Sequence, residues 1–207
     1  MQKKTLILDL DDTIYLVSSI GDILFKSLFE LIELSCEFTG SLNDIKAEIM
    51  RRPFQFVAND FAFSNELKEA GIKLLERLTY PDQIRLVENY EIIRTIPATK
   101  FLVTTGFTTL QNSKIDQLGI RNDFEEIHII DPGKTAQTKR DVFKKILIKY
   151  KLKLDEVLVV GDDLNSEIKA AKELGIETVL YDFKSVYTET NDQKVIRNFS
   201  ELSAYFK

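Results

Sequence analysis

Five short β-branched and apolar runs, separated by stretches of helical period, leave this chain few ways to fold. They are Thr5–Leu10, Lys100–Thr104, Ile127–Ile130, Val157–Val160 and Thr178–Leu180. Runs that are apolar throughout, rather than alternating, are how strands read when both of their faces are covered. Before the fourth run, Val142, Phe143, Ile146, Leu147 and Tyr150 fall on one helical stripe. After it, Leu164, Ile168, Ala171 and Leu174 do the same. Strand alternating with helix predicts right-handed βαβ units, and so an α/β fold with a parallel sheet between helical layers.

That rhythm breaks once, from about Leu16 to Pro81. Ile20, Leu24, Leu28, Leu31 and Phe38 predict a long amphipathic helix. Ser41 and Asp44 read as a capping box ahead of Leu42, Ile45 and Ile49. Pro53 should end that helix, and Glu66–Leu78 supplies another before Pro81. With no convincing strand in it, 16–81 reads as a small helical module inserted after the first strand. Residues 1–15 and 82–207 then form the core. Phe54, Phe56, Phe61 and Phe63 are expected to pack in the core or at the interface of the module, with the lining of a substrate pocket as the alternative. The polar stretch from 187 to 198 is expected to be loop, and Phe199–Phe206 to close the chain as a helix.

A chain of 207 residues is long enough for one substantial core plus such a module. The net charge of −5 argues against a nucleic-acid groove or an anionic membrane surface as the main partner. No apolar run approaches the roughly 18 residues needed to span a bilayer. Asp9 and Asp11 interrupt the apolar beginning, against a secretory leader. Cys36 is the only cysteine, so no intrachain disulfide can form and the cytoplasm is the default compartment. Cys36 and the single histidine, His128, are both expected to pack structurally.

In open α/β sheets, ligands bind beyond the carboxyl ends of the strands. Three strands end there in chemistry: Asp9, Asp11, Asp12 and Thr13; Thr104, Thr105 and Gly106; Gly161, Asp162 and Asp163. Phosphate monoesters hydrolyse very slowly unaided, so a catalyst needs charge neutralisation, an aligned nucleophile and leaving-group protonation. Asp9 can attack phosphorus as a carboxylate nucleophile. Asp11, two residues on, is placed to protonate the leaving oxygen and later to activate water. The Thr104 hydroxyl and a lysine would hold phosphoryl oxygens, and Asp162 would complete a site for Mg²⁺, which prefers oxygen ligands. Asp9, Asp162 and the backbone carbonyl of Asp11 are the expected metal ligands. Asp12 reads as a turn residue, and Asp163 is open between metal binding and helix initiation.

The ordered set Asp9-Leu-Asp11-Asp12-Thr13, Leu102-Val-Thr104-Thr-Gly106, a lysine before the fourth strand, and Val160-Gly161-Asp162-Asp163-x-x-x-Glu167 resembles the motifs of haloacid dehalogenase-like hydrolases. The resemblance covers nearly the whole chain. It implies a Rossmann-like core, Mg²⁺, a phosphoaspartate at Asp9 with Asp11 as acid and base, and a mobile cap formed by the helical insert. The implied substrate is a small phosphorylated metabolite such as a sugar phosphate or nucleotide. A phosphomutase, or a phosphate-sensing domain without catalysis, are the alternatives. Thr105 stands where the family often has Asn and is taken as a phosphate contact. Glu167 replaces a common Asp. Dehalogenation is not implied, because dehalogenases of this fold lack an acid at the Asp11 position. For the phosphate-binding lysine, Lys139 competes with Lys134. Thr138 and Asp141 form an apparent capping box that puts Lys139 in the first turn of a helix, and Lys139 is preferred for that reason.

Overall fold

The computed structural model describes residues 2–190 and 192–206. Six parallel strands form one sheet: β1 (Thr5–Leu8), β2 (Thr99–Thr105), β3 (Glu126–Ile130), β4 (Val157–Gly161), β5 (Glu177–Tyr181) and β6 (Lys194–Ile196). Their spatial order is β3-β2-β1-β4-β5-β6. β1 is therefore central, with Leu8 opposite Leu102 on one side and Val160 on the other. The order reverses at β1, and the crevice that such a reversal opens lies at the carboxyl ends of β1, β2 and β4.

Successive side chains of a strand point to opposite faces, and the core divides accordingly. Ile7, Phe101, Val103, Val157 and Val159 pack under Val142, Phe143 and Ile146 of α8 (Lys139–Tyr150) and Ala170 and Ala171 of α9 (Glu167–Lys172). Leu6, Leu8, Leu102, Leu158 and Val160 face the other way, toward Leu110, Ile115 and Leu118 of α7 (Thr108–Leu118) and the C-terminal Phe199 and Leu202. Each large side chain so enclosed contributes about 1.5–3 kcal/mol relative to exposure.

Residues 16–81 contain no named strand and five α-helices: α1 (Gly21–Leu24), α2 (Lys26–Ser35), α3 (Leu42–Arg51), α4 (Phe54–Asp60) and α5 (Asn65–Arg77). Their apolar faces, including Leu28, Ile32, Ile45, Ile49, Val57 and Leu67, share one continuous cluster with the second sheet face. The two ends of this helical stretch come together, where the Val87 N–H donates to the Ile14 carbonyl at 2.9 Å. A short α6 (Glu91–Thr95) precedes β2.

Several expectations need correction. The single long helix is two, turned at Phe25 (φ −95°, ψ 8°). Cys36 is exposed, because it caps α2 in the left-handed conformation (φ 53°) and projects beyond the helix end. Phe54 and Phe63 pack edge to face, as expected, but Phe56 is 53% exposed because α4 turns it away from its own core. His128 does lie within a strand, as expected, and is half-buried because β3 is an edge strand; its Nε2 lies 3.0 Å from Glu126 Oε2. The stretch expected to be loop contains β6. Its two buried apolar residues, Val195 and Ile196, are too few to carry a period. Phe199–Phe206 is helical but of the tighter 3₁₀ form. No helix among the described residues is long and apolar enough to cross a membrane.

Candidate active site

β1 delivers Asp9 one residue past its last sheet pair, with the Asp9 N–H still bonded to the Val160 carbonyl at 3.0 Å. The carboxylate is buried, and its Oδ1 accepts a bond from Lys139 Nζ at 2.8 Å. Burial pushes the Asp9 carboxyl up, and Glu167 and Asp11 add to that. Lys139 opposes it, and the balance stays above the ordinary carboxylate value. Lys139 occupies the first turn of α8, which Thr138 and Asp141 begin with a reciprocal capping box. Burial works against the Lys139 charge, yet the two carboxylates beside it, Asp9 and Glu167, raise its pKa above the usual lysine value. Lys134, the other candidate, binds Asp131 and Thr108 at 3.0 Å in an exposed turn.

Glu167 is nearly inaccessible, and both of its oxygens are engaged. Oε2 takes Lys139 at 2.7 Å and Oε1 takes the Asp163 N–H at 2.7 Å. This explains Gly161: a Cβ there would lie 2.2 Å from Glu167 Oε1, so only glycine lets the carboxylate reach over the end of β4. Asp163 accepts the Asn165 N–H at 2.7 Å and so turns the chain toward α9. Asp12 likewise serves the turn, with φ 52° and a bond from the Val17 N–H at 2.9 Å.

Asp9, Asp162 and Glu167 each offer an oxygen within a common span of 4.8 Å. Burial, and then the negative charges of Asp9, Glu167 and Asp12, push the Asp162 carboxyl up to about 9. A hard divalent cation bound there would favour the ionised form. With both Glu167 oxygens taken, Asp9 and Asp162 are the carboxylates best able to ligate, and an all-oxygen set of this kind fits Mg²⁺. The Asp11 side chain points elsewhere. Its Oδ1 accepts from Lys114 Nζ at 2.8 Å and from the Tyr15 hydroxyl, and its Oδ2 accepts from Gln111 Nε2 at 2.8 Å. Burial alone would raise the Asp11 pKa, but Lys114, Tyr15 and Gln111 outweigh it and hold the carboxyl below its usual range.

Thr104 is buried at the end of β2, its Oγ1 accepting from Gln111 Nε2 at 2.6 Å. Thr105 lines the same cleft. This cleft, about 1210 Å³, is walled by the strand ends and, from the helical stretch, by residues such as Arg51, Gln55 and Phe56. Sequence reasoning missed Tyr15, Gln111 and Lys114. A signal did exist: Gln111 and Lys114 interrupt the apolar stripe of Leu110, Ile115 and Leu118, where a helix ordinarily buries hydrocarbon.

With this geometry in view, the chain matches the family model "haloacid dehalogenase-like hydrolase" over residues 3–175. A glyceraldehyde 3-phosphate phosphatase from Methanocaldococcus jannaschii is 27% identical over 206 residues, covering 92% of this chain and 90% of that protein. A ribulose-1,5-bisphosphate 5-phosphatase from Halopiger xanaduensis is 34% identical over 83 residues, covering 39% of this chain and 34% of that protein. Among solved structures, a haloacid dehalogenase-like family hydrolase from Streptococcus pneumoniae superposes with a TM-score of 0.72 at 17% identity, covering 99% of both chains. The magnesium-bound HAD-hydrolase YfnB from Bacillus subtilis gives 0.69 at 17% identity over 100% of both chains.

Proposed function

Because this chain belongs to the haloacid dehalogenase-like hydrolases, we propose that it is a phosphatase of small phosphorylated metabolites that forms a phosphoaspartate at Asp9. The observation that carries this reading is the buried contact of Lys139 with Asp9 Oδ1 at 2.8 Å, which orients the carboxylate at the strand end. The Asp9 oxygen turned away from Lys139 attacks phosphorus, and the bond from phosphorus to the alcohol oxygen breaks. Asp11 gives its proton to that departing oxygen. The incoming dianionic ester raises the proton affinity of Asp11, against the pull of Lys114. Water then attacks the phosphorus of the phosphoaspartate and passes a proton to Asp11. The bond to Asp9 breaks, releasing inorganic phosphate and restoring the carboxylate. Throughout, Lys139, Thr104 and Thr105 hold the phosphoryl oxygens and offset their charge, and Glu167 keeps Lys139 in place.

Asp9, Asp162 and the backbone carbonyl of Asp11 would hold Mg²⁺, which when bound neutralises charge on the transferring phosphoryl group. Residues 16–81 act as a cap that excludes water and selects the substrate, with residues 1–15 and 82–207 as the catalytic core. The names of the relatives support a short sugar phosphate as substrate. A phosphate-release screen over triose, pentose and hexose phosphates, nucleotides and phosphoglycolate, with Mg²⁺ and with EDTA, tests the proposal. Mg²⁺-dependent release from a short sugar phosphate, with beryllium fluoride loading Asp9, is expected. Release that persists in EDTA, or none from any ester, would sink it.

A further inference from the structure

α7 carries two polar side chains where helix packing calls for apolar ones. Gln111 is 1% exposed and Lys114 is 4% exposed, three residues apart and so on one face of the helix. Burying an amide and an ammonium costs free energy unless both are well bonded. Here both are bonded to groups the phosphatase reading already uses. Gln111 Nε2 spans Thr104 Oγ1 at 2.6 Å and Asp11 Oδ2 at 2.8 Å, and Lys114 Nζ meets Asp11 Oδ1 at 2.8 Å. Gly106 permits this approach, since a Cβ there would lie 3.0 Å from Gln111 Cδ. By accepting from Gln111, the Thr104 oxygen leaves its own hydroxyl proton free to donate to another acceptor.

We propose that Gln111 and Lys114 are positioning residues that lock Asp11 and Thr104 to each other, so that the departing alcohol meets its proton donor while the phosphoryl group is held. This rests on the phosphatase reading and deepens it. The geometry is fixed by one helix face reaching two strand ends; both residues also line the cleft, but the role assigned to them is exerted through Asp11 and Thr104. A positioned acid matters in proportion to how poorly the leaving group departs. An alkyl alcohol needs a proton in the transition state, whereas p-nitrophenolate leaves without one.

The test is kcat/KM for glycerol 2-phosphate and for p-nitrophenyl phosphate in the presence of Mg²⁺, for wild type, Gln111→Leu, Lys114→Met and Lys114→Arg. In Gln111→Leu and Lys114→Met the alkyl ester should lose at least about tenfold more than the aryl ester, a fraction of the roughly 10²–10⁴-fold by which general acids accelerate reactions. Lys114→Arg should recover part of the selective loss. Equal loss on both esters in folded variants, or no loss on either, overturns the positioning role while leaving the phosphatase reading intact. If Lys114→Met fails to fold, Gln111→Leu and Lys114→Arg still decide the ratio. Wild type inactive on these two esters and on every ester of the phosphate-release screen would overturn the phosphatase reading and this inference with it.

Discussion

The strand ends of the core and the helical stretch of 16–81 face the same cleft, but they hold their polar groups very differently. In the core, Asp9, Lys139 and Glu167 are buried and locked together at 2.7–2.8 Å. Across the cleft, Arg51 pairs with Glu48 on its own helix at 2.8 Å while its side chain is half exposed, and it reaches Asp163 only at 3.9 Å. Buried pairs in fixed geometry suit chemistry, where a small misplacement is costly. Exposed, adjustable groups suit recognition, because they can reorganise around different ligands at little cost. The contrast predicts that core substitutions reduce kcat and that those in the helical stretch move KM.

The largest effect should follow Asp9→Asn. The amide keeps the shape and removes the nucleophilic charge, so kcat should fall by roughly 10⁴-fold or more, as losing a nucleophile does. The thermal midpoint should stay within a few degrees. Turnover within tenfold of wild type would break the assignment of chemistry to β1.

Next comes Lys139→Ala, expected to cost about 3 kcal/mol of barrier, on the scale of one oxyanion donor. It should also lower stability, because Asp9 and Glu167 lose their shared cation. Urea unfolding beside steady-state kinetics separates the two losses. Lys134→Ala, by contrast, should stay within about twofold of wild-type activity, since that side chain is exposed and serves Asp131. A damaging Lys134→Ala with a nearly silent Lys139→Ala would reverse the lysine assignment.

Gly161→Ala sharpens the comparison by touching the core scaffold without removing a charge. The added methyl would displace Glu167, and overpacking of this kind costs about 1–3 kcal/mol, read as a lower urea midpoint. Activity should fall with it, because Glu167 orients Lys139. A neutral result would mean that the Glu167 position is not tightly held.

The smallest stability effect belongs to Phe56→Ala in the helical stretch. At 53% exposure the change should be within about 0.5 kcal/mol. KM for a sugar phosphate should nonetheless rise a few-fold with kcat nearly constant. A fall in kcat with unchanged KM would erase the division between the two regions.

Much of this molecule is local in origin and so was legible in the chain. Apolar runs such as Thr5–Leu8 and Val157–Gly161 announce buried strands because both faces are covered. The Thr138 capping box announces where α8 begins, and so where Lys139 lies. Asp9, Thr104 and Asp162 stand at three strand ends, and a parallel sheet necessarily brings such ends together. What depends on contacts between distant segments was not legible. β6 exists because β5 offers an unpaired edge. The partners of Asp11 lie far along the chain on α7, and Glu167 reaches Lys139 only over the bare backbone of Gly161. Sequence by itself determined which polar residues stand at the strand ends, because strand period and strand ends are local properties. Only the tertiary structure decided which buried donors restrain them, because those bonds join residues 100 to 130 positions apart in the chain.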